Sequence, residues 1–261
     1  MDFEKSQPTR FLYDDSDSEF EEELDDKTVD TLGPPVLRLS HFKNTKFLTS
    51  TLLIGINGGG NLFLESISSN KRLIGTILLP EIELIHNTLN QENGSNQGCF
   101  IYEMESSSKT LLIPCNYKVN DERCFIWTKT LFNHIEAERV VIFDTFKSSS
   151  YIFNHRDEEH IYPYCRVLSS SSALEMDKSI PIYQPPNLVC NLSAAILSHC
   201  ELYNISAYLL LNPQTEKIGM IQIYQEYQKI LNQLNLNIEL NFKYSFDEKP
   251  NIQSDFKRLY V

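Results

Sequence analysis

The start of the sequence shows no leader pattern, and no long apolar run follows anywhere in the chain. Residues 1–5 contain no basic segment followed by an apolar one, as a secretory signal would. No stretch approaches the roughly 20 consecutive apolar residues that a membrane-spanning helix needs. We therefore expect a protein that is neither secreted nor inserted into a membrane.

Paired cysteines are also missing. The six cysteines occur at uneven intervals, without a Cys-x-x-Cys motif or the dense framework that cross-links small secreted domains. We expect reduced thiols and a cytoplasmic protein, with the nucleus left open as a second location. The cysteines are Cys99, Cys115, Cys124, Cys165, Cys190 and Cys200.

The chain has no run of lysines and arginines. Its net charge is −12, but residues 1–30 hold 12 acidic and 3 basic side chains, so these residues account for −9 and the other 231 residues for only −3. A nearly neutral body without clustered cations releases few counterions from a phosphate backbone. We expect no nucleic-acid partner.

The acidic charge is concentrated between Asp14 and Asp26, where 9 of 13 residues are carboxylates. Such a segment repels itself and has little apolar surface to bury, so we expect disorder over residues 1–34. Ser16 and Ser18 each have an acidic residue three positions later, a pattern that favours acidophilic kinases, although a solvating acidic tail needs no phosphate. With 41% hydrophobic residues, residues 35–245 can form one domain, followed by a tail over 246–261.

Short β-branched and apolar runs alternate with segments of helical period in the body of the chain. Several of the strand candidates are apolar throughout, which is typical of strands covered on both faces. The alternation predicts an α/β domain with helices on both sides of a sheet. The predicted strands are 51–54, 73–79, 100–103, 110–114, 139–144 and 206–211, and the predicted helices are 61–68, 121–135, 192–203 and 220–234.

Finer features complete this prediction. The helix over 220–234 carries one continuous apolar stripe, from Met220 to Leu234, at spacings of three and four residues. Asn191 precedes an apolar helix and is predicted to be its N-cap. Two polar stretches, 91–97 and 148–172, are predicted to be surface loops.

The glycine-rich turn from Gly55 to Asn61 follows an apolar strand and precedes a helix, the context in which backbone N–H groups can hold a phosphate. Its glycines do not follow the G-x-G-x-x-G order, and no Gly-Lys-Ser/Thr supplies a phosphate-binding lysine. A tight turn in which no side chain can clash is the simpler interpretation.

Other polar residues suggest sites only weakly. His155 and His160, with Cys165 beyond them, are metal-ligand types, but two histidines five residues apart do not share a helical face, which favours a solvated loop. His199 is predicted to pack in its helix. Asp144 ends a predicted strand, where α/β enzymes often place a catalytic carboxylate. We predict no metal and no cofactor.

The chain ends in an apolar residue, a tyrosine and a carboxylate-bearing residue: Leu259, Tyr260 and Val261. A pocket can capture such a group, because the leucine fills apolar space, the tyrosine donates a hydrogen bond and the carboxylate pairs with a lysine. These three residues are the predicted protein-binding site.

Three stretches carry a resemblance to a known family. Residues 184–200 (QPPNLVCNLSAAILSHC) with the strand that follows to Leu211, the strand and glycine turn 52–61 with FLESI after it, and the helix around Trp127 resemble the proteasome assembly chaperone family, in its chaperone 1 branch. The resemblance covers about residues 47–144 and 184–212 and the last three residues, which match the family's hydrophobic-Tyr-X ending.

The resemblance implies a three-layer α/β/α domain, similar in shape to nucleoside phosphorylases, and a non-enzymatic role. It implies pairing with proteasome assembly chaperone 2 and docking of Leu259, Tyr260 and Val261 between α subunits of the proteasome core particle, which promotes ring assembly and keeps activators away. The alternative is a nucleoside phosphorylase-like or nucleosidase-like enzyme that uses the Gly55–Asn61 loop, with Asp144 as acid or base.

Overall fold

The structure is a computed structural model, and it describes residues 32–40, 46–67, 70–82, 98–104, 109–152, 165–174, 180–214 and 220–236. The chain divides into two units, Met1–Gly33 and Pro34–Val261. Of the first unit, only Leu32 and Gly33 are described.

Eight strands form one mixed sheet in the described part of the second unit. Their order across the sheet is β1-β3-β4-β5-β2-β6-β8-β7, in which β5, β2, β6 and β8 run parallel and the other neighbours pair antiparallel. The strands are β1 (Val36–Leu39), β2 (Phe47–Gly55), β3 (Lys71–Leu78), β4 (Cys99–Met104), β5 (Thr110–Pro114), β6 (Ile135–Lys147), β7 (Arg166–Ser169) and β8 (Ser206–Gln214).

Among the described residues, four α-helices cover this sheet, two on each face. Each face of the sheet has its own hydrophobic core. Because adjacent strand residues point to opposite faces, Leu52 and Ile54 belong to the first core and Leu53 to the second. The first core contains residues of α2 and α3, and the second contains residues of α1 and α4. The result is a three-layer α/β/α fold, as predicted. The helices are α1 (Gly59–Glu65), α2 (Cys124–His134), α3 (Asn191–Leu202) and α4 (Met220–Gln233).

All six predicted strands and all four predicted helices are present; β5 has the predicted ends, 110–114, and the ends of the others are shifted. Each of the six predicted strands contains buried apolar residues, and β5 is buried at every position. The apolar stripe of α4 is confirmed from Ile223 to Leu234, because its members are buried in the second core. Residue 135, predicted to end a helix, instead begins β6, where it pairs with Phe47 of β2.

Two strands were not predicted. β7 lies inside the stretch 148–172 that was predicted to be a surface loop, and this prediction is wrong for Cys165, Arg166 and Val167, which are buried. β7 forms because it pairs with Tyr208 to Leu211 of β8, a partner about 40 residues away that local composition does not reveal. β1 is likewise a four-residue edge strand that pairs with β3. The loop predicted at 91–97 lies outside the described residues.

The prediction that Asn191 is an N-cap is also wrong. α3 begins at Asn191 itself, whose φ is 62°, while Cys190 is the N-cap residue and makes no side-chain cap hydrogen bond. Asparagine adopts positive φ more readily than most residues. The Ser193 hydroxyl donates instead to the Cys190 carbonyl at 3.2 Å, which closes the first turn.

Candidate functional site

A cavity of about 660 Å³ lies where the parallel strands β2 and β6 end. After β2 the chain continues through α1 to β3, on the β5 side of the sheet, and after β6 it continues to β7, on the opposite side. Open α/β sheets bind ligands at this divergence of their connections. The walls come from residues 56–57 after β2, 117–119 after β5, 144–147 of β6, and the segment 188–193 that enters α3.

The glycine turn packs against β6 instead of opening into this cavity. Only Ile56 and Asn57 of the turn line the cavity. A Cβ on Gly60 would lie 2.0 Å from the Phe143 carbonyl oxygen, and a Cβ on Gly55 would lie 2.5 Å from the Gly60 oxygen. The glycines therefore permit α1 to approach the sheet closely, and this geometry supports the tight-turn interpretation.

Asparagine side chains hold the same turn in place. The Asn61 side chain accepts a hydrogen bond from Gly58 N at 3.0 Å and donates to the Asn116 side chain. Asn116 in turn donates to the Glu65 carboxylate at 2.7 Å. The N–H of Gly58, where φ is 117°, is thus bonded within the protein and does not face a ligand.

Asp144 lies in the cavity wall, although not at the end of its strand as predicted. β6 continues to Lys147, so Asp144 sits three residues before the end. Its carboxylate accepts a hydrogen bond from Thr145 N at 2.7 Å. Burial raises the pKa of Asp144 above its usual range, and hydrogen bonds from Ser193 and Thr145 partly oppose this shift.

Three aromatic rings pack against one another next to the cavity, and two of them, Phe146 and Tyr183, line it. The ring centroids of Phe146 and Tyr151 are 5.0 Å apart, those of Phe146 and Tyr183 are 5.5 Å apart, and those of Tyr151 and Tyr183 are 5.3 Å apart. The Arg166 guanidinium lies 5.5 Å from the Tyr151 ring centroid. We call Phe146, Tyr151 and Tyr183 the aromatic cluster. Sequence reasoning missed it, because its members come from separate segments and share no motif.

His199 packs as predicted. Its ring stacks on Phe132 with centroids 4.5 Å apart and an interplanar angle of 12°, and it contacts Tyr203 at 4.4 Å. Burial, with a smaller contribution from Lys46, lowers the pKa of His199. The histidine therefore joins α3 to α2 and lies outside the cavity lining.

Several predicted site residues lie outside the described residues: Ser16, Ser18, His155, His160, Leu259, Tyr260 and Val261. Cys165 is described and fully buried, and burial raises the pKa of its thiol. Within the described ranges, no cluster of three histidine, cysteine, aspartate or glutamate side chains could hold a metal ion. Within the same ranges, no helix is both long and apolar enough to span a bilayer.

The fold and its cavity define an α/β protein with helices on both faces of a mixed sheet. The PAC1 family model, described as "Proteasome assembly chaperone 4", matches residues 4–253. The chain therefore belongs to the proteasome assembly chaperone family.

Curated relatives named "Proteasome assembly chaperone 1" are similar over different lengths. The protein from Dictyostelium discoideum is 23% identical over 219 residues, which cover 83% of this chain and 78% of that protein. The Danio rerio protein is 29% identical over 113 residues, 42% of this chain and 40% of that protein. The Homo sapiens protein is 22% identical over 173 residues, 64% of this chain and 59% of that protein. The chain thus spans about two fifths to four fifths of these relatives.

Two solved structures share the fold. PbaA of Pyrococcus furiosus, an archaeal homolog of proteasome-assembly chaperone, superposes with a TM-score of 0.54 at 13% identity, covering 79% of this chain and 88% of that chain. PbaB of the same organism, an archaeal proteasome activator, gives a TM-score of 0.51 at 11% identity, covering 78% and 93%. At these identities the likeness establishes the fold alone.

Proposed function

We propose that this chain is a non-enzymatic subunit of a proteasome assembly chaperone. The observation that carries the proposal is the family match over residues 4–253, nearly the whole chain. The names of the curated relatives support it, and so does the fold shared with the archaeal chaperone homolog. The subunit pairs with proteasome assembly chaperone 2 in the cytoplasm, and also in the nucleus, and it needs no cofactor.

The docking element in this proposal is the C-terminal tail over 246–261, which follows an α/β domain over 35–245. Leu259, Tyr260 and Val261 enter a pocket between α subunits of the core particle, where a lysine pairs with the terminal carboxylate. The bound tail promotes ring assembly and excludes activators that use the same pockets. A three-residue tail binds weakly alone. When one tail of the pair is bound, the tail of the partner subunit is held at a high effective concentration near its own pocket, which raises the affinity of the pair for the ring.

The test is removal of the tail. Deletion of residues 259–261, or Tyr260→Ala, should weaken co-purification with proteasome precursors while folding and pairing with the partner persist. Unchanged co-purification after the deletion would reject the tail as docking element. A failure to isolate any proteasome subunit with the intact chain would reject the chaperone function itself.

Two control variants separate the parts of the tail. Tyr260→Phe keeps the ring and removes only the hydroxyl, so it should weaken binding less than Tyr260→Ala does. Two extra residues after Val261 keep all three side chains and displace the carboxylate, so they should weaken binding as strongly as the deletion does. Equal binding by the extended chain would show that the carboxylate is not recognised.

An activator role is the second candidate, since PbaB shares the fold and is an archaeal proteasome activator. The two roles differ in their effect on mature particles. Peptide hydrolysis by purified mature core particles should stay at its basal rate when this chain and its partner are added. A rise in the hydrolysis rate that depends on Tyr260 would favour the activator role.

The enzymatic alternative requires the glycine turn to hold phosphate. The glycines of the turn pack against β6 and do not line the cavity, which argues for the non-enzymatic role. Any ligand that binds only the folded state raises its melting temperature. We expect neither phosphate nor a nucleoside to raise it, and a shift with both together would revive the alternative.

A further inference from the structure

Asp144 is a carboxylate without a cationic partner in the part of the chain that the structure describes. The ion pairs found there, Arg72–Glu103, Arg123–Glu81 and Lys229–Glu226, do not include it. Its carboxylate accepts a hydrogen bond from the Thr145 N–H. Because an ionised carboxylate offers about four acceptor sites, acceptor capacity remains towards the cavity.

Aromatic rings flank this carboxylate. Asp144 and Phe146 are two residues apart on β6 and therefore point to the same face. Tyr183 packs edge-on against Phe146 and also lines the cavity. Asp144 also lines the cavity, so the carboxylate and the Tyr183 phenol belong to the same wall. A carboxylate beside aromatic rings suits a planar cation, which stacks on a ring while it donates to the oxygens.

Residues that line the cavity also favour particular chemical groups next to the bound cation. Lys118 and Lys147 line the cavity and are exposed, so they repel an isolated cation and attract neighbouring acidic groups. Leu188, also in the lining, is 81% exposed and offers an apolar contact in addition to the carboxylate and the rings. This lining therefore fits a peptide segment better than a free small molecule.

We propose that the cavity receives an arginine side chain of a protein partner, presented between acidic residues. The guanidinium donates two parallel hydrogen bonds to Asp144 and stacks on Phe146 or Tyr183. The aromatic cluster already holds one guanidinium, that of Arg166 on the Tyr151 ring. The acidic neighbours of the arginine pair with Lys118 and Lys147. This contact is separate from the C-terminal tail and extends the proposed function with a second docking element.

The test titrates the full chain with the peptide acetyl-Glu-Arg-Glu-amide and measures the dissociation constant by ligand-observed NMR. The matched peptide with citrulline in place of arginine has the same shape and no charge, so it should bind at least about tenfold more weakly. The peptide with lysines flanking the arginine should also bind more weakly. Equal affinity for arginine and citrulline, or no binding of the arginine peptide at millimolar concentration, would overturn the proposal.

Variants of the chain locate the contact. Asp144→Asn keeps the side-chain shape and should weaken arginine-peptide binding at least about tenfold. Glu201→Gln neutralises a carboxylate on α3 that bonds Ser171 and does not line the cavity, so it should leave the affinity unchanged. Deletion of residues 259–261 should also leave it unchanged, so failure here and failure of the proposed tail docking are distinguishable. Adenosine monophosphate serves as a small-molecule probe, and binding of it that depends on Asp144 would contradict a peptide site.

Discussion

At the scale of single residues, the glycine turn shows how closely a backbone can approach a sheet. Gly60 lies against the backbone of Phe143, with no space for a side chain. Gly33, in contrast, has no atom within 4 Å of a Cβ built on it. Gly60 and Gly33 therefore form a matched pair for testing whether close packing requires a glycine at position 60.

We expect Gly60→Ala to lower the free energy of unfolding by about 3 kcal/mol or more, because the methyl group meets a carbonyl that cannot move without displacing β6. Gly33→Ala should change it by less than about 0.5 kcal/mol. Urea denaturation followed by circular dichroism measures both values. Similar stabilities for the two variants would show that the turn can accommodate the added methyl group. Close packing would then not explain the glycines, and phosphate binding by the turn would need a new test.

Asp144 should make the stability depend on pH. Burial raises its pKa in the folded state above the unfolded value, so the stability that its neutral form contributes is complete below the unfolded pKa and is lost as pH rises through the folded pKa. The charged or titratable side chains that line the same cavity are Lys118, Lys147, Tyr183, Tyr117 and Cys190.

In Asp144→Asn the side chain at position 144 cannot ionise. The free energy of unfolding of this variant, relative to that of the natural chain, should therefore increase as pH rises from about 4 towards 7. Urea denaturation midpoints of both proteins, measured at several pH values, give the difference directly. Because all other groups are shared, their titration cancels. A difference that stays constant with pH would contradict the unpaired carboxylate inferred above.

At the scale of elements, α4 is joined to the sheet by one buried hydroxyl and a group of rings. Tyr227 is fully buried, and its hydroxyl donates to the Asp144 backbone carbonyl at 2.7 Å. The centroid of its ring lies 4.9 Å from the ring centroid of Phe63 in α1 and 5.0 Å from that of Phe143 in β6. α4 is thus fixed to both α1 and β6.

Tyr227→Phe keeps these ring contacts and removes the hydroxyl, so we expect a loss of about 1 kcal/mol in the free energy of unfolding. Tyr203→Phe is the control, because Tyr203 is 67% exposed and its change should stay within about 0.5 kcal/mol. Chemical denaturation detects the difference. An equal effect of the two substitutions would indicate that the hydroxyl of Tyr227 adds nothing to the attachment of α4.

The elements also show what sequence patterns can predict. The apolar stripe of α4 was found because a helix that buries one face must repeat its apolar residues every three or four positions. β2, β5 and β6 were found because strands covered on both faces are apolar at nearly every position. β1 and β7 were missed because four residues at a sheet edge carry little pattern of their own and depend on β3 and β8.

In the molecule as a whole, charge is distributed unevenly along the chain. Residues 1–30 carry a net charge of −9 and the remaining 231 residues carry −3. We expect removal of residues 1–30 to change the free energy of unfolding by less than about 1 kcal/mol, because a self-repelling acidic segment has little apolar surface to bury. Thermal denaturation of both chains tests this, and a large loss of stability would show that the segment packs on the domain.

The α/β class, the helices and the central strands follow from local sequence patterns, because the periods of 2 and 3.6 residues are local properties of an element that buries one face or two. The sequence also supplied the family resemblance, which the family match over residues 4–253 confirmed. The tail of Leu259, Tyr260 and Val261 remains a prediction from sequence.

Only the tertiary structure decided the order of strands in the sheet, and with it the place of the cavity. Asp144, Tyr183 and Ser193 converge there from β6, from the segment before α3 and from α3 itself. Their separation in sequence is set by intervening elements and follows no motif. The physical reason is that strand pairing joins residues far apart in the chain, so a site at the carboxyl ends of β2 and β6 exists only after these strands have found each other.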